Sequence, residues 1–198
     1  MIIDVQDYTK MEILGTRLDD AAGECFDKVG RVLGMPYPGG AALDKAASMG
    51  DETKYALPRS KPGQNPYDMS FSGLKTAALN LIHHAEQVGE ELDTNSLCAS
   101  FCAAVSDTLV PRVIQAIEQT GRKKLAVAGG VAANSRIRAD IMRAAEKLNA
   151  QVYLPPLKLC GDNAAMIGSQ AYFEYLAGNT AGMELNAYAT KSILGETL

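Results

Sequence analysis

Apolar and polar residues alternate at the start of the chain and then recur at helical spacing. Residues 2–6 and 11–16 carry apolar or β-branched side chains around a turn-like segment, 7–10, which predicts a β-hairpin. From Asp19 the apolar positions recur every three or four residues, which predicts a helix that ends at Gly34. The apolar stripe of this helix consists of Ala21, Ala22, Cys25, Val29, Val32 and Leu33.

The middle of the chain contains further helical patterns and a loop. The sequence Tyr-Pro-Gly-Gly at 37–40 has the chemistry of a turn. Residues 50–69 are rich in proline and predict a surface loop. Apolar spacing predicts helices over 41–48, about 72–87 and about 95–120. Pro111 lies inside the last of these and predicts a kink.

The last third of the chain alternates strand and helix patterns. They are a strand at 123–130, a helix through Ile137, Ile141 and Leu148, a strand at 151–155 and a helix over about 162–176. This alternation predicts a βαβ unit whose two strands run parallel. The predicted fold class is therefore α/β.

The composition is that of one ordinary globular domain. The chain has 198 residues, of which 47% are hydrophobic and 21% charged. Its start has an acidic residue at position 4 and no long apolar run, so we expect neither a signal peptide nor a membrane anchor, and a cytoplasmic protein.

The net charge of −4 argues against a surface that binds nucleic acid through bulk positive charge. Any contact with RNA would then be local or supplied by a partner. Two basic clusters are either local RNA contacts or only solvated helix faces: Arg122, Lys123 and Lys124, and Arg136, Arg138, Arg143 and Lys147.

The reactive side chains do not predict a nucleophile or a closed metal site. No serine lies in a GxSxG turn, and Cys25 has no histidine near it in sequence. His83 and His84 lack neighbours at metal-ligand spacing and are interpreted as surface residues. The cysteines contain no CxxC pair and are predicted to be buried free thiols: Cys25, Cys98, Cys102 and Cys160.

Two glycines and an asparagine lie where the first strand of the βαβ unit meets its helix. Gly129 and Gly130 end the strand, and Asn134 precedes the helix. Backbone N–H groups and the positive end of the helix dipole would favour an anion such as a phosphate there. The alternative is a tight turn followed by a helix cap at Asn134.

Carboxylates provide two further candidate sites. Asp162 follows the second strand and either caps the last helix or ligates a metal, and Asn163 beside it suits either role. Asp20, Glu24, Asp27 and Arg31 share one helix face by their spacing. That face either meets a hydrogen-bonding ligand or forms the ion pairs Glu24–Lys28 and Asp27–Arg31.

Four segments occur in a specific order: DDAAGECFDKVGRVLGMPYPGG, SFSGLKTA, AVAGGVAANSRIR and GDNAAMIG. In this order they resemble the family of tRNA adenosine threonylcarbamoyltransferases (TsaD), formerly called glycoproteases or O-sialoglycoprotein endopeptidases. The resemblance covers about residues 12–175.

The resemblance implies a fold and a reaction. The fold is one lobe of the actin, sugar kinase and Hsp70-like (ribonuclease H-like) type, with a mixed sheet and flanking helices. Residues 1–198 would be the C-terminal lobe, without its first strand and without the N-terminal lobe. The whole enzyme would transfer a threonylcarbamoyl group from threonylcarbamoyl-adenylate to the exocyclic amine of the adenosine next to the tRNA anticodon, and this part alone would be inactive.

The resemblance also implies site residues. Asp27, Gly40, Asp44 and Asn134 match adenylate-binding positions, and Asp162 matches a ligand of one divalent metal ion, iron or zinc. The chain departs from the family pattern because the His-x-x-x-His metal pair and the Ser-Gly-Gly-His-Thr loop, both of which would precede it, are absent. Gly161 also stands where threonine is commoner.

The implied partners are tRNA, the adenylate or ATP, a paralogous two-lobe protein and a small ATPase, with no membrane. A missing first strand would leave a sheet edge unpaired and favour self-association. Two alternative functions are a non-catalytic dimerisation or scaffold lobe of the same assembly and a metallopeptidase, as the older family name suggests.

Overall fold

The structure, a computed structural model, describes residues 1–61 and 63–187. Its strands are β1 (Ile2–Asp7), β2 (Lys10–Gly15), β3 (Lys124–Ala126) and β4 (Gln151–Tyr153). Its α-helices are α1 (Ala22–Val32), α2 (Gly39–Ala47), α3 (Ser72–Val88), α4 (Thr94–Thr120), α5 (Ser135–Lys147) and α6 (Ala164–Leu176). The α/β class and the order of the elements agree with the prediction.

The strands form two small sheets. β1 and β2 make the predicted antiparallel hairpin, and β3 and β4 make the predicted parallel pair, with Leu125 opposite Val152. Where one mixed sheet was expected, the described strands form two separate pairs. The side chain of Arg122, just before β3, joins the pairs through an ion pair with Asp4 on β1 at 2.6 Å.

Helix α1 begins at Ala22, three residues later than predicted. The preceding Asp19 is held away from the helix because its Oδ1 accepts hydrogen bonds from the backbone N–H groups of Phe71 (2.8 Å) and Ser72 (3.2 Å), where α3 starts. The predicted end at Gly34 is confirmed, since Gly34 has a φ of +72° and follows the last helical turn.

The two glycines that suggested a turn lie inside helix α2, which begins at Gly39 rather than at residue 41. A Cβ atom on Gly39 would lie 3.1 Å from the carbonyl oxygen of Phe26 and 3.2 Å from the Cα of Asp27. Glycine is therefore needed at 39 because α1 and α2 approach closely, and not because the chain turns there.

Helix α4 is the centre of the core. Leu97, Phe101 and Val105 have no exposed surface, and the Phe101 ring packs edge-on against Phe26 with 5.4 Å between centroids. Its length and hydropathy would allow a membrane span, but 72% of its most apolar window is buried inside the protein, as in the core helix of a soluble protein. The helix continues through Pro111, and the kink there stays a prediction.

The segment 50–69 connects α2 to α3 without a helix in its described residues. It nevertheless buries Leu57 and Met69, each 3% exposed. Arg112 of α4 reaches this segment, donating to the carbonyl oxygens of Ser60 (3.1 Å) and Asp68 (2.7 Å). Hydrogen bonds from Arg112 therefore hold the segment 50–69 against α4.

The start of α4 contains an acid-sensitive cap. The Asp93 carboxylate accepts from the Ser96 N–H at 3.1 Å and forms an ion pair with Lys54 at 2.8 Å. The Lys54 contact and the hydrogen bonds from Ser96 lower the pKa of the Asp93 carboxyl to about 2. Its contribution to stability is therefore complete above the ordinary carboxyl pKa of about 3.9 and is lost as the pH falls through the folded value.

Replacing Asp93 with asparagine keeps a capping side chain but removes the charge. We expect the wild type to be more stable than Asp93→Asn near neutral pH, and this difference to disappear as the pH falls to about 2. Urea unfolding of both proteins across this range measures the difference. A difference that stays constant with pH would contradict the prediction.

Candidate functional site

The segment between β3 and α5 contains both the predicted turn and the predicted helix cap, and it also suits an anion. Gly129 has a φ of +91°, and a short 3₁₀ helix, Gly130–Ala133, follows it. The Asn134 side chain caps α5 by accepting from the Ile137 N–H at 3.0 Å, which confirms the predicted cap. Among the described residues, the N–H groups of Gly130 and Val131 have no acceptor and remain available to a ligand.

Asp44 of α2 lies at the start of α5, next to Asn134. Its carboxylate accepts from the Ser135 N–H at 3.1 Å and from the Ser135 hydroxyl at 2.9 Å. The positive end of the α5 dipole therefore already has a carboxylate beside it. A phosphate that approaches this rim would be repelled from Ser135 and favoured at Gly130 and Val131.

Asp27 has a backbone partner that the sequence did not indicate. Its Oδ1 accepts from the Gly39 N–H at 2.8 Å, which ties α1 to the start of α2. Asp27 and Arg31, both described, are not at ion-pair distance, so that predicted pair is wrong, whereas the Lys28–Glu24 pair is present at 2.7 Å. The predicted helix face of Asp20, Glu24, Asp27 and Arg31 is also wrong, because Asp20 precedes the first residue of α1.

The predicted adenylate-binding residues lie on helix α2 or next to it, and they line two different clefts. Asp27 and Gly39 line a cleft of 160 Å³ together with exposed Tyr37. Asp44 and Ser135 line a second cleft of 270 Å³. Gly40, which matched an adenylate-binding position, lies against the Phe26 side chain. The structure thus places Asp44 against Ser135, the residue that follows Asn134, and connects Asp27 to the start of the same helix α2 through Gly39.

Asp162 does not cap the last helix, so this alternative is wrong. The cap is its neighbour Asn163, whose side-chain oxygen accepts from the Met166 N–H at 3.1 Å. Asp162 is exposed, and the part of the chain that the structure describes contains no group of three or more His, Cys, Asp or Glu side chains suited to a metal. A single exposed carboxylate does not fit a divalent metal site.

A partly buried charge cluster near α3 was not predicted. The Asp20 carboxylate forms ion pairs with Lys28 (3.0 Å) and Lys75, and accepts from the Ser72 hydroxyl at 2.7 Å. The contacts from Lys75, Ser72 and Lys28 hold the pKa of Asp20 well below its ordinary value. The spacing of Ser72 and Lys75, three residues apart in SFSGLKTA, was the available signal, because it places both on one helix face.

The four cysteines are free and buried, as predicted. Burial raises the pKa of the thiols of Cys25, Cys98 and Cys102 to about 12, which keeps them protonated and unreactive. The interpretation of His83 and His84 as surface residues is also confirmed.

The basic clusters are partly engaged within the chain. Arg136 and Arg143 both pair with Asp140, and Arg122 pairs with Asp4. Their charges are therefore less available to RNA than the sequence suggested.

Comparison with known proteins identifies close relatives. The family model of tRNA N6-adenosine threonylcarbamoyltransferase (TsaD) matches residues 1–169. A curated protein of that name from Moorella thermoacetica is 47% identical over 186 residues, which are 94% of this chain and 54% of the relative. One from Lactobacillus delbrueckii is 50% identical, covering 92% and 53%, and one from Enterococcus faecalis is 51% identical, covering 89% and 51%. The chain spans about half the length of these relatives.

Proposed function

The chain belongs to the tRNA N6-adenosine threonylcarbamoyltransferase family, and we propose that it is the C-terminal part of such an enzyme. The whole enzyme transfers the threonylcarbamoyl group from threonylcarbamoyl-adenylate to the exocyclic amine of the adenosine next to the tRNA anticodon. The observation that carries the proposal is the junction of α2 with α5. There Asp44 contacts Ser135, Asn134 caps α5, and the N–H groups of Gly130 and Val131 have no acceptor among the described residues.

The proposed adenylate site uses both sides of this junction. The exposed turn at Gly129 and Gly130 presents the backbone N–H groups of Gly130 and Val131 to the phosphate. The Asp44 and Asp27 carboxylates accept hydrogen bonds from the ligand's hydroxyl groups, and Gly40 leaves room beside α2. Asn134 fixes the start of α5 at the end of the turn by accepting a hydrogen bond from the Ile137 N–H.

One metal ion, iron or zinc, would take Asp162 as a ligand in the whole enzyme. The described residues do not complete such a site, so its other ligands would come from outside this chain.

The proposed partners are tRNA, a paralogous two-lobe protein and a small ATPase, in the cytoplasm. The net charge of −4 favours tRNA contacts that are local or lie on those partners. Each described sheet has two strands, so each strand has one edge without a strand partner, which supports self-association at these edges.

Reconstitution tests the proposed reaction. The chain is joined to the remaining half of the Moorella thermoacetica relative and supplied with the accessory proteins, tRNA, ATP, threonine and bicarbonate. We expect threonylcarbamoyladenosine in the digested tRNA, detected by mass spectrometry. An intact joined protein that forms no product would contradict the proposal.

Nucleotide binding by the chain itself is a second test. Adenosine monophosphate at a hundred times its dissociation constant should raise the free energy of unfolding by about 2.7 kcal/mol. Asp44→Ala should abolish most of this increase, whereas Lys45→Ala, an exposed change on the same helix, should retain it. Thermal unfolding with and without the nucleotide measures both effects. No increase in the wild type would favour the alternative of a non-catalytic scaffold lobe. The metallopeptidase alternative gains no observation from the structure.

A further inference from the structure

One arginine joins the two loops at the carboxyl end of the parallel strands. Arg138 of α5 donates from Nη1 to the carbonyl oxygen of Ala132 at 2.8 Å and from Nη2 to that of Pro155 at 3.1 Å. Ala132 belongs to the turn after β3, and Pro155 to the loop after β4. We propose that Arg138 is a positioning residue that fixes these loops relative to each other and thereby sets the shape of the nucleotide site, an inference that rests on the proposed function.

The position of Arg138 on its helix explains its reach. Side chains on a helix point toward its N-terminus, so a residue in the first turn of α5 extends back over the turn that precedes the helix. The planar guanidinium has five N–H donors in a fixed fork and can bond two carbonyl groups that lie in different directions. Its Nη1 also lies 3.8 Å from the buried Cys160 sulfur, farther along the second loop.

The other arginines of the same helix behave differently. Arg136 and Arg143 both form ion pairs with Asp140 on the helix itself, and Arg136 also pairs with Glu52. Among residues 1–61 and 63–187, Arg138 has no carboxylate at ion-pair distance, and its acceptors lie in the two loops. Arg138 therefore bonds backbone carbonyl groups of the two loops, whereas Arg136 and Arg143 bond carboxylates.

Hydrogen exchange on the chain tests whether Arg138 fixes the loops. The informative amides are those of Ala132, which donates to Gly129, and of Leu159, which donates to Pro156. In Arg138→Gln we expect both amides to exchange about tenfold faster or more, while the amides of α4 are unchanged. In the variant the loops can open without breaking the two hydrogen bonds that Arg138 donates in the wild type. Arg143→Gln on the same helix is the matched control. Unchanged exchange in both loops of Arg138→Gln would overturn the proposal.

Binding of adenosine monophosphate tests the positioning role. Measured well below the unfolding temperature, where lost stability alone does not alter affinity, the dissociation constant should rise about tenfold in Arg138→Gln and stay unchanged in Arg143→Gln. Equal affinities of wild type and Arg138→Gln would overturn the positioning role. A wild type that binds no nucleotide would contradict the proposed function instead, and the exchange rates alone would then decide whether Arg138 fixes the loops.

Arg138→Lys keeps the charge and decides the outcome if the glutamine variant does not fold. The single ammonium group of lysine lacks the fork that bonds carbonyls in two directions. We expect at least one loop to exchange faster and the affinity for adenosine monophosphate to fall. Full retention of both loops and of affinity in Arg138→Lys would show that charge alone suffices, which would overturn the proposal.

Discussion

Replacing Phe101 with alanine should lower the free energy of unfolding by about 3–5 kcal/mol, the cost of removing a buried aromatic side chain and leaving a cavity. Phe101 has no exposed surface and packs edge-on against Phe26, so the variant loses both burial and a favourable ring contact. The site lies in the helix that most of the core surrounds, which leaves little room for relaxation. Urea unfolding followed by circular dichroism measures the change.

Met142→Ala is the control for this substitution. Met142 lies on α5 and is 50% exposed, so its truncation should change the stability by no more than about 0.5 kcal/mol. A Phe101→Ala variant that loses no more stability than this control would show that the described core is wrong around α4.

Replacing Arg112 with leucine should cost about 3 kcal/mol and release the segment 50–69, because three backbone carbonyl groups lose a charged donor. Arg112 is only 5% exposed and donates to Asp68 at 2.7 Å, to Thr108 at 2.6 Å and to Ser60 at 3.1 Å. Two of these acceptors lie in the connecting segment, so the variant should lose its anchor as well as stability. Urea unfolding measures the first effect.

Limited proteolysis measures the second effect. Trypsin should cleave after Arg59 faster in Arg112→Leu than in the wild type, whereas Lys61 precedes proline and is a poor site. The control is Arg122→Leu, which removes an exposed ion pair with Asp4 and should cost less than about 1 kcal/mol. Equal cleavage after Arg59 in the wild type and Arg112→Leu would show that Arg112 does not anchor the segment.

The long helices were predictable because each has a strong periodic signal of its own. α3 and α4 begin and end within about one residue of the predicted bounds, since apolar spacing over many turns averages out local ambiguity. The hairpin and the parallel pair follow from equally local patterns. The sequence did not predict that the strands form two separate sheets, because the local pattern of a strand does not specify which distant strand it pairs with.

Element starts were less predictable because distant residues determine them. The start of α1 depends on Asp19 binding backbone groups more than fifty residues farther along, at Phe71 and Ser72. The start of α2 depends on how closely α1 approaches it. Sequence patterns record neither fact.

The candidate site likewise contains features that the local sequence predicts and features that depend on distant residues. Asn134 was predictable as a cap because asparagine before a helical pattern has a local meaning. Asp162 and Asn163 are both good caps by residue type, and the structure assigns the role to Asn163, whose backbone is extended with φ −151° and ψ 153°. The contact of Asp44 with Ser135 joins residues that are 91 positions apart in the sequence, so only the fold reveals it.

The burial of all four thiols makes the folded chain suitable for site-directed fluorescent labelling. Thiol-specific dyes react with an exposed thiolate, and the native cysteines are all buried. A single cysteine introduced at an exposed position such as His83 would then take up the dye selectively while the chain remains folded. Two such positions, one in the turn after β3 and one in the loop after β4, would allow the distance between these loops to be followed by energy transfer without first removing any native cysteine.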